Sequence, residues 1–212
     1  MAFYWVKTNR IIKMVFPKYV WDIPNDERKV YLTFDDGPTP EVTEWTIDLL
    51  HEYKVKATFF CIGENIEKHP EIFARLLDEG HAIGNHTFNH VNGWETASEK
   101  YIKNVEQCAA IIEKQAGEST KLFRPPYGKV KKHQATELLK KGYKIIMWDV
   151  LSADFDPDIS PEKCFKNVEK NLRPGSVVIF HDSAKGFRNL EYTLPKTLAF
   201  LKEKGFKCEL IS

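Results

Sequence analysis

The sequence predicts an α/β fold, a β/α barrel of seven parallel strands that closes imperfectly. Short apolar runs alternate with longer segments of helical period along the 212 residues. Several helical segments end in glycine directly before the next apolar run, at Gly80, Gly142 and Gly205. Seven strands are one fewer than a β/α barrel usually has, so closure is expected to be incomplete. An open doubly wound sheet is the structural alternative.

The strands are predicted from apolar runs that are too short for helices. They are residues 30–34, 57–62, 81–84, 121–124, 143–148, 176–180 and 206–210. Because helical segments separate these runs, the strands are expected to pair in parallel.

The helices are predicted from start signals followed by apolar residues on one face. Thr39-Pro40-Glu41 supplies an N-cap, a first-turn proline and an early acid. Ser98 and Ser160-Pro161 open two further helical segments. Helices are also expected over residues 70–78, 130–140 and 192–204.

Composition and charge narrow the class of protein. The chain has 31 basic and 30 acidic residues, which leaves almost no net field and makes nucleic acid an unexpected partner. Four cysteines without a CxxC pair are expected to be free thiols. Residues 29–212 are expected to form one domain, against which an N-terminal extension, residues 1–28, packs.

The extension is apolar and basic. Lysine and arginine interrupt each of its apolar runs before the run reaches the length of a signal peptide or a membrane span. We therefore expect no transmembrane segment and a cytoplasmic protein. A short helix lying in a membrane interface, from about Arg10 to Phe16, is the alternative to packing on the domain.

Ionisable residues follow five of the predicted strands. In a β/α barrel the loops that leave the C-terminal strand ends meet around one mouth, so these residues are expected to share one site. The loops carry Asp35 and Asp36, His86 and His90, Arg124 and Tyr127, Asp154, and His181 and Asp182. Asp182 is expected to stabilise its loop.

Two of these loops predict a metal site. His86 and His90 are four residues apart, so both imidazoles can face the same way on one turn. The adjacent carboxylates of Asp35 and Asp36 repel one another unless a cation compensates. One aspartate and two histidines make a three-ligand site with open positions for water. Zinc suits this set best, and cobalt, manganese, nickel or iron(II) also fit.

The ordered motifs resemble the signature of a known family, the polysaccharide deacetylases of carbohydrate esterase family four. The motifs are Thr33-Phe34-Asp35-Asp36-Gly37, His86-Thr87-Phe88-Asn89-His90, Arg124-Pro125-Pro126-Tyr127 and Ile179-Phe180-His181. The resemblance implies a distorted seven-stranded (β/α) barrel. It also implies metal-dependent hydrolysis of acetyl groups from an N-acetylated glycan, such as peptidoglycan or a chitin oligosaccharide.

The resemblance also implies roles for individual residues. Asp36, His86 and His90 correspond to the metal ligands. Asp35 corresponds to the general base and His181 to the general acid. By the same resemblance, Arg124 orients Asp35, and Asp154 keeps His181 protonated. The backbone N–H of Tyr127 stabilises the oxyanion.

The substrate pocket departs from the family pattern. Ile179 stands where an apolar side chain lines the acetyl-methyl pocket. Leu151 and Phe155 occupy positions that usually carry an aspartate and a tryptophan. Phe155 keeps an apolar wall but lacks the indole N–H.

Two other functions stay open at this point. The same metal centre could hydrolyse O-acetyl esters on xylan. A sugar-binding protein that has kept the fold and metal without turnover is the second alternative, although pure binding requires neither the Asp35 base nor the His181 acid. Cell-wall and chitin polymers lie outside the cytoplasm. Either the substrate is a cytoplasmic oligosaccharide, or the protein is exported by a route that the sequence does not show.

Overall fold

The computed structural model describes residues 5–212, and the first four residues of the expected extension lie outside the described residues. The helices are α1 (Arg10–Val15), α2 (Val42–Glu52), α3 (Gly63–Lys68), α4 (Pro70–Asp78), α5 (Ser98–Ala116), α6 (Lys132–Lys140), α7 (Pro161–Asn171) and α8 (Phe187–Glu203). The strands are β1 (Lys29–Asp35), β2 (Thr58–Cys61), β3 (Ala82–Asn85), β4 (Leu122–Phe123), β5 (Lys144–Ile145), β6 (Val150–Leu151), β7 (Val177–His181) and β8 (Lys207–Cys208).

Seven strands form one curled parallel sheet in the order β5-β4-β3-β2-β1-β7-β6. Neighbours in the sheet are mostly neighbours in sequence, as in a β/α barrel and unlike the reversed order of a doubly wound sheet. Among the described residues β5 and β6 do not pair with each other, so the barrel is open between them. The predicted fold class, an imperfectly closed parallel barrel, is confirmed.

The membership of the sheet differs from the prediction. The pair Val150–Leu151 forms β6, which the sequence analysis missed because two residues are too few to show a period. The segment predicted over 206–210 contributes only β8, which pairs with the first two residues of β1, outside the main sheet.

Helix α4 matches its predicted bounds. The predicted start of α2 was wrong, because the helix begins at Val42 with Glu41 as its N-cap, so Thr39 and Pro40 precede it. Helix α3 was not predicted, because its six residues are shorter than a clear amphipathic pattern. Helix α8 starts five residues earlier than predicted. Its buried face runs through Leu190, Leu194, Leu198 and Leu201, which extends the apolar stripe to that earlier start.

Strand β1 lies at the centre of the sheet and is buried on both faces. Val30, Leu32 and Phe34 pack into the layer between the sheet and the helices. Tyr31 points the other way, into a cluster with Phe60 in the barrel interior. Because side chains alternate along a strand, β1 is packed on both faces. This packing holds the end of β1 rigidly at the barrel mouth.

The N-terminal segment lies along the opening of the barrel. Val20 donates to Ile145 O at 2.9 Å and accepts from Met147 N at 2.7 Å, which continues the sheet beyond β5. In α1 the side chain of Ile12 packs against a core cluster, while Ile11 and Met14 are exposed. Within residues 5–212, none of the helices has the length and apolar character needed to cross a membrane.

Candidate active site

The predicted site residues meet at the C-terminal edge of the sheet. A cavity of about 650 Å³ opens there. Its wall contains Asp35, Asp36, His86, His90, Tyr127, Phe155, Ile179 and His181. The two remaining predicted residues, Arg124 and Asp154, are fully buried behind this wall. The structure therefore brings all ten residues to one place.

Three of these side chains could hold a metal ion. One donor atom each from Asp36, His86 and His90 lie within 4.8 Å of one another. Asp36 Oδ1 is 3.2 Å from His90 Nε2 and 3.7 Å from His86 Nε2. This spacing and the mixed oxygen and nitrogen donors fit a small divalent cation.

The histidine tautomers suit metal binding. His86 Nδ1 lies 2.8 Å from the carbonyl oxygen of Arg124, to which it can donate only as the Nδ1–H tautomer. Its Nε2 lone pair then faces Asp36. Burial lowers the pKa of His86 to about 4, so the ring is neutral at pH 7. His90 Nδ1 lies 3.1 Å from the Tyr127 hydroxyl, and when Nδ1 donates to that oxygen the Nε2 lone pair of His90 also faces Asp36.

Asp36 carries the clearest sign that a cation belongs here. Its Oδ1 is buried and accepts no hydrogen bond from the described residues. A buried carboxylate oxygen without a donor is costly unless a positive charge lies beside it. Burial alone would raise the pKa of Asp36, but the neighbouring His90, His181 and His86 hold it well below its usual range, so the carboxylate stays ionised.

Asp35 faces a different partner. Arg124 donates from Nη1 to Asp35 Oδ1 at 2.6 Å. The same guanidinium donates to Thr33 Oγ1 and to the carbonyl oxygens of Ile146 and Met147, which fixes its plane. Burial lowers the pKa of Arg124, and the charge of Asp35 opposes that shift. The fixed guanidinium thus fixes the orientation of Asp35.

His181 lies across the cavity from the histidine pair and is held by Asp154. His181 Nδ1 is 2.8 Å from Asp154 Oδ1, and the other carboxylate oxygen accepts from the His181 backbone N at 2.8 Å. Burial by itself lowers the pKa of His181, but the charge and hydrogen bond of Asp154 raise it to about 9. The imidazole is therefore protonated at neutral pH.

Apolar side chains complete the wall next to His181. Phe155 contacts the His181 ring edge-on, with ring centroids 4.9 Å apart. Ile179 is buried in a small cluster with Leu151, and Trp148 packs against it. This side of the cavity can bind a small apolar group beside the charged residues.

Backbone strain is concentrated at the same edge. Asp36, Thr87, His90, Tyr127 and Ala153 all have φ between 57° and 85°, a region that residues other than glycine rarely adopt. Such strain persists only where the surrounding contacts impose it, and it is common at functional sites.

Comparisons with known proteins identify the family. Residues 22–146 match the polysaccharide deacetylase family. The chain is similar to a peptidoglycan-N-acetylglucosamine deacetylase of Bacillus cereus, with 37% identity over 188 residues, or 88% of this chain and 68% of the relative. The chain belongs to the polysaccharide deacetylase family.

Two further relatives agree with this membership. A chitooligosaccharide deacetylase of Azorhizobium caulinodans is 35% identical over 162 residues, 76% of each chain. A crystal structure of a peptidoglycan N-acetylglucosamine deacetylase in complex with a naphthalenyl N-hydroxybenzamide is 34% identical and covers 94% of both chains, with a TM-score of 0.88. For this polysaccharide deacetylase, the predicted class of enzyme, a hydrolase of acetyl groups on acetylated glycans, is confirmed. The donor set and the family both support a divalent metal.

The sequence predicts that Asp182 stabilises its loop in the deacetylase site, but it does not predict the partners of Asp182. Asp182 is fully buried and accepts hydrogen bonds from Gly37 N at 3.1 Å and Thr43 Oγ1 at 2.6 Å. Burial raises the pKa of Asp182 to about 8. These bonds tie the loop after Asp36 to the end of β7. The only sequence signal for them was the position of Asp182 beside His181.

A second unpredicted contact supports Asp36 from the other side. Asn65, in α3, donates from Nδ2 to the Asp36 carbonyl oxygen at 2.7 Å. Because α3 was not predicted, Asn65 gave no signal in the sequence.

Proposed function

We propose that this polysaccharide deacetylase hydrolyses N-acetyl groups on a glycan that contains N-acetylglucosamine, with zinc as its metal. The observation that carries the proposal is the convergence of Asp36, His86 and His90 on one side of the cavity, with Asp35 beside them and a protonated His181 opposite. The named activities of the similar proteins point to the same substrate class.

The proposed metal ligands are Asp36 Oδ1 and the Nε2 atoms of His86 and His90. When bound, a divalent metal lowers the pKa of a coordinated water and polarises the acetyl carbonyl. Zinc is the ion we propose, since one carboxylate and two imidazoles leave an open position in a tetrahedral site.

Asp35 is the proposed general base. Its Oδ2 lies 3.8 Å from His86 Nε2, so it is close enough to the ligand cluster to take a proton from the attacking water. The other oxygen is held by Arg124 at 2.6 Å, which compensates the charge of the carboxylate and keeps it aimed at the ligand cluster.

His181 is the proposed general acid. Breaking an amide requires a proton on the leaving nitrogen, and the pKa of His181 at about 9 keeps the ring protonated at neutral pH. With Nδ1 bonded to Asp154, the proton on Nε2 is available to the leaving amine.

Tyr127 and the apolar wall are proposed to position the acetyl group. The backbone N–H of Tyr127 stabilises negative charge on the acetyl oxygen, an effect of about 3–4 kcal/mol for one well-placed donor. Ile179 and Phe155 contact the acetyl methyl group, which has no polar atom to satisfy.

The test is acetate release from N-acetylglucosamine oligomers by purified protein, with chelator and with zinc added back. We expect release that chelator abolishes and zinc restores. The control is Asp158→Asn, because Asp158 is an exposed acid outside the cavity wall.

Acetylated xylan serves as the comparison substrate. Release from xylan alone would favour the O-acetyl esterase. Binding of the oligomers without any release, under every divalent metal, would favour a sugar-binding protein and overturn the proposed catalytic roles.

A further inference from the structure

The N-terminal segment forms one wall of a second cavity beside the catalytic one. Thr8 N donates to Asp149 O at 2.9 Å, and Leu151 N donates to Val6 O at 2.8 Å. Lys7 and Val150 form an antiparallel bridge. Residues 6–8 therefore pair with β6 as an additional short strand, and they precede the region that matches the family.

Side-chain contacts hold this segment firmly. Thr8 Oγ1 donates to Trp148 O at 2.7 Å. Lys13 Nζ lies 2.6 Å from Asp149 Oδ1, a carboxylate that Lys7 also binds. Because Asp149 is buried, this pairing is protected from solvent and fixes the segment against the barrel opening.

The second cavity has a volume of about 180 Å³ and adjoins the catalytic cavity. Tyr127, Trp148 and Leu151 line both cavities, so the two spaces share one wall. Trp5 lines the second cavity from the N-terminal side, and 47% of its surface is exposed. A group that extends from the catalytic cavity past Tyr127 would therefore meet Trp5.

The chemistry of this cavity is aromatic and uncharged. Three tryptophans and one tyrosine are among its lining residues, and none of the lining residues carries a charge. The C–H face of a pyranose ring packs on such rings, whereas an anionic group finds no partner there. The cavity thus suits a neutral sugar ring.

We propose that Trp5, with Tyr127 and Trp148, forms a second sugar subsite that binds the sugar adjacent to the one being deacetylated. The proposal rests on the proposed function, since it takes the ligand to be a glycan chain whose acetylated residue occupies the catalytic cavity. The N-terminal segment then makes this protein selective for oligomers over single sugars.

The test compares kcat/KM for an N-acetylglucosamine tetramer with kcat/KM for the single sugar, in wild type and in Trp5→Ala. We expect the tetramer-to-monomer ratio to fall by roughly 3–10-fold, the effect of losing one aromatic packing surface. Trp5→Phe should keep most of the ratio. The matched control is Met14→Ala, because Met14 is on the same segment, is 77% exposed and lines neither cavity.

An unchanged ratio in Trp5→Ala overturns the subsite. An equal loss on tetramer and monomer also overturns it, because that result would mean a general disturbance of the barrel opening.

A binding measurement separates this proposal from the proposed function. Calorimetric titration of the tetramer into wild type and Trp5→Ala needs no turnover. If wild type releases no acetate but binds the tetramer, a roughly 3–10-fold weaker affinity in Trp5→Ala supports the subsite. If wild type does not bind the tetramer, or both proteins bind it equally, the subsite is wrong.

Discussion

Replacing Asp154 with asparagine tests how the proposed general acid is tuned. Burial lowers the pKa of His181, and Asp154 is the main cause that raises it from an ordinary 6.5 to about 9. The substitution Asp154→Asn would keep the size of the side chain and remove the negative charge. We expect the pKa of His181 to fall to about its ordinary value or lower, because burial then acts with less opposition.

The sign and size of the effect follow from the protonated fraction. A general acid works below its pKa and stops working as the pH rises through it. At pH 8 a group with a pKa of about 9 is about 90% protonated, and one with a pKa of about 6.5 is about 3% protonated. Asp154→Asn should therefore lose about 30-fold in kcat at pH 8 from this cause, but less than about twofold at pH 6.

The assay is a pH profile of acetate release for wild type, Asp154→Asn and the exposed-acid control Asp158→Asn. The alkaline midpoint should move from about pH 9 to near pH 6.5 in Asp154→Asn alone. An unchanged midpoint, or a loss of activity that is the same at pH 6 and pH 8, would refute the reasoning that Asp154 acts by raising the pKa of His181.

Three further substitutions test the rest of the site. Asp36→Ala should lose its metal in elemental analysis after dialysis, because it removes the only carboxylate of the donor set; full occupancy would contradict the ligand assignment. Asp35→Asn should keep the metal and lose at least about 100-fold in kcat, as expected for removal of a general base, and an active variant would exclude Asp35 from that role. Arg124→Met should lower the free energy of unfolding by about 3–5 kcal/mol in guanidinium titrations, since it leaves Asp35 buried without its partner, whereas the exposed Arg188→Met should change it by less than about 0.5 kcal/mol.

Much of the fold could be predicted from local sequence. Helix α4 begins with Pro70 and is a strongly amphipathic segment, and both signals are local. Strand β6 could not be predicted, because its two residues are a strand only through their pairing with β7 and with the N-terminal segment. Such pairing depends on residues far away in the sequence, which no local pattern records.

In the site, too, features that are local in sequence could be predicted, and contacts between distant residues could not. His86 and His90 are four residues apart, and this spacing together with the adjacent carboxylates of Asp35 and Asp36 predicted a metal site. The contact between Gly37 and Asp182 joins residues 145 positions apart. A Cβ atom at position 37 would lie 2.1 Å from Asp182 Oδ2, so only glycine allows this approach. The sequence showed both residues but not that they touch.

The different roles proposed for Asp35 and Asp36 follow from where the strand ends. Asp35 is the last residue of β1, pairs in register with His181 and directs its carboxylate to the buried Arg124. Asp36 leaves the strand with a φ of 85°, which turns its carboxylate toward the histidines of the neighbouring loop. The two carboxylates therefore differ in their partners: Asp35 has a donor on one oxygen, and Asp36 has an oxygen that lacks one. Two chemically identical side chains thus suit different proposed roles, base and metal ligand, because the backbone turns between them.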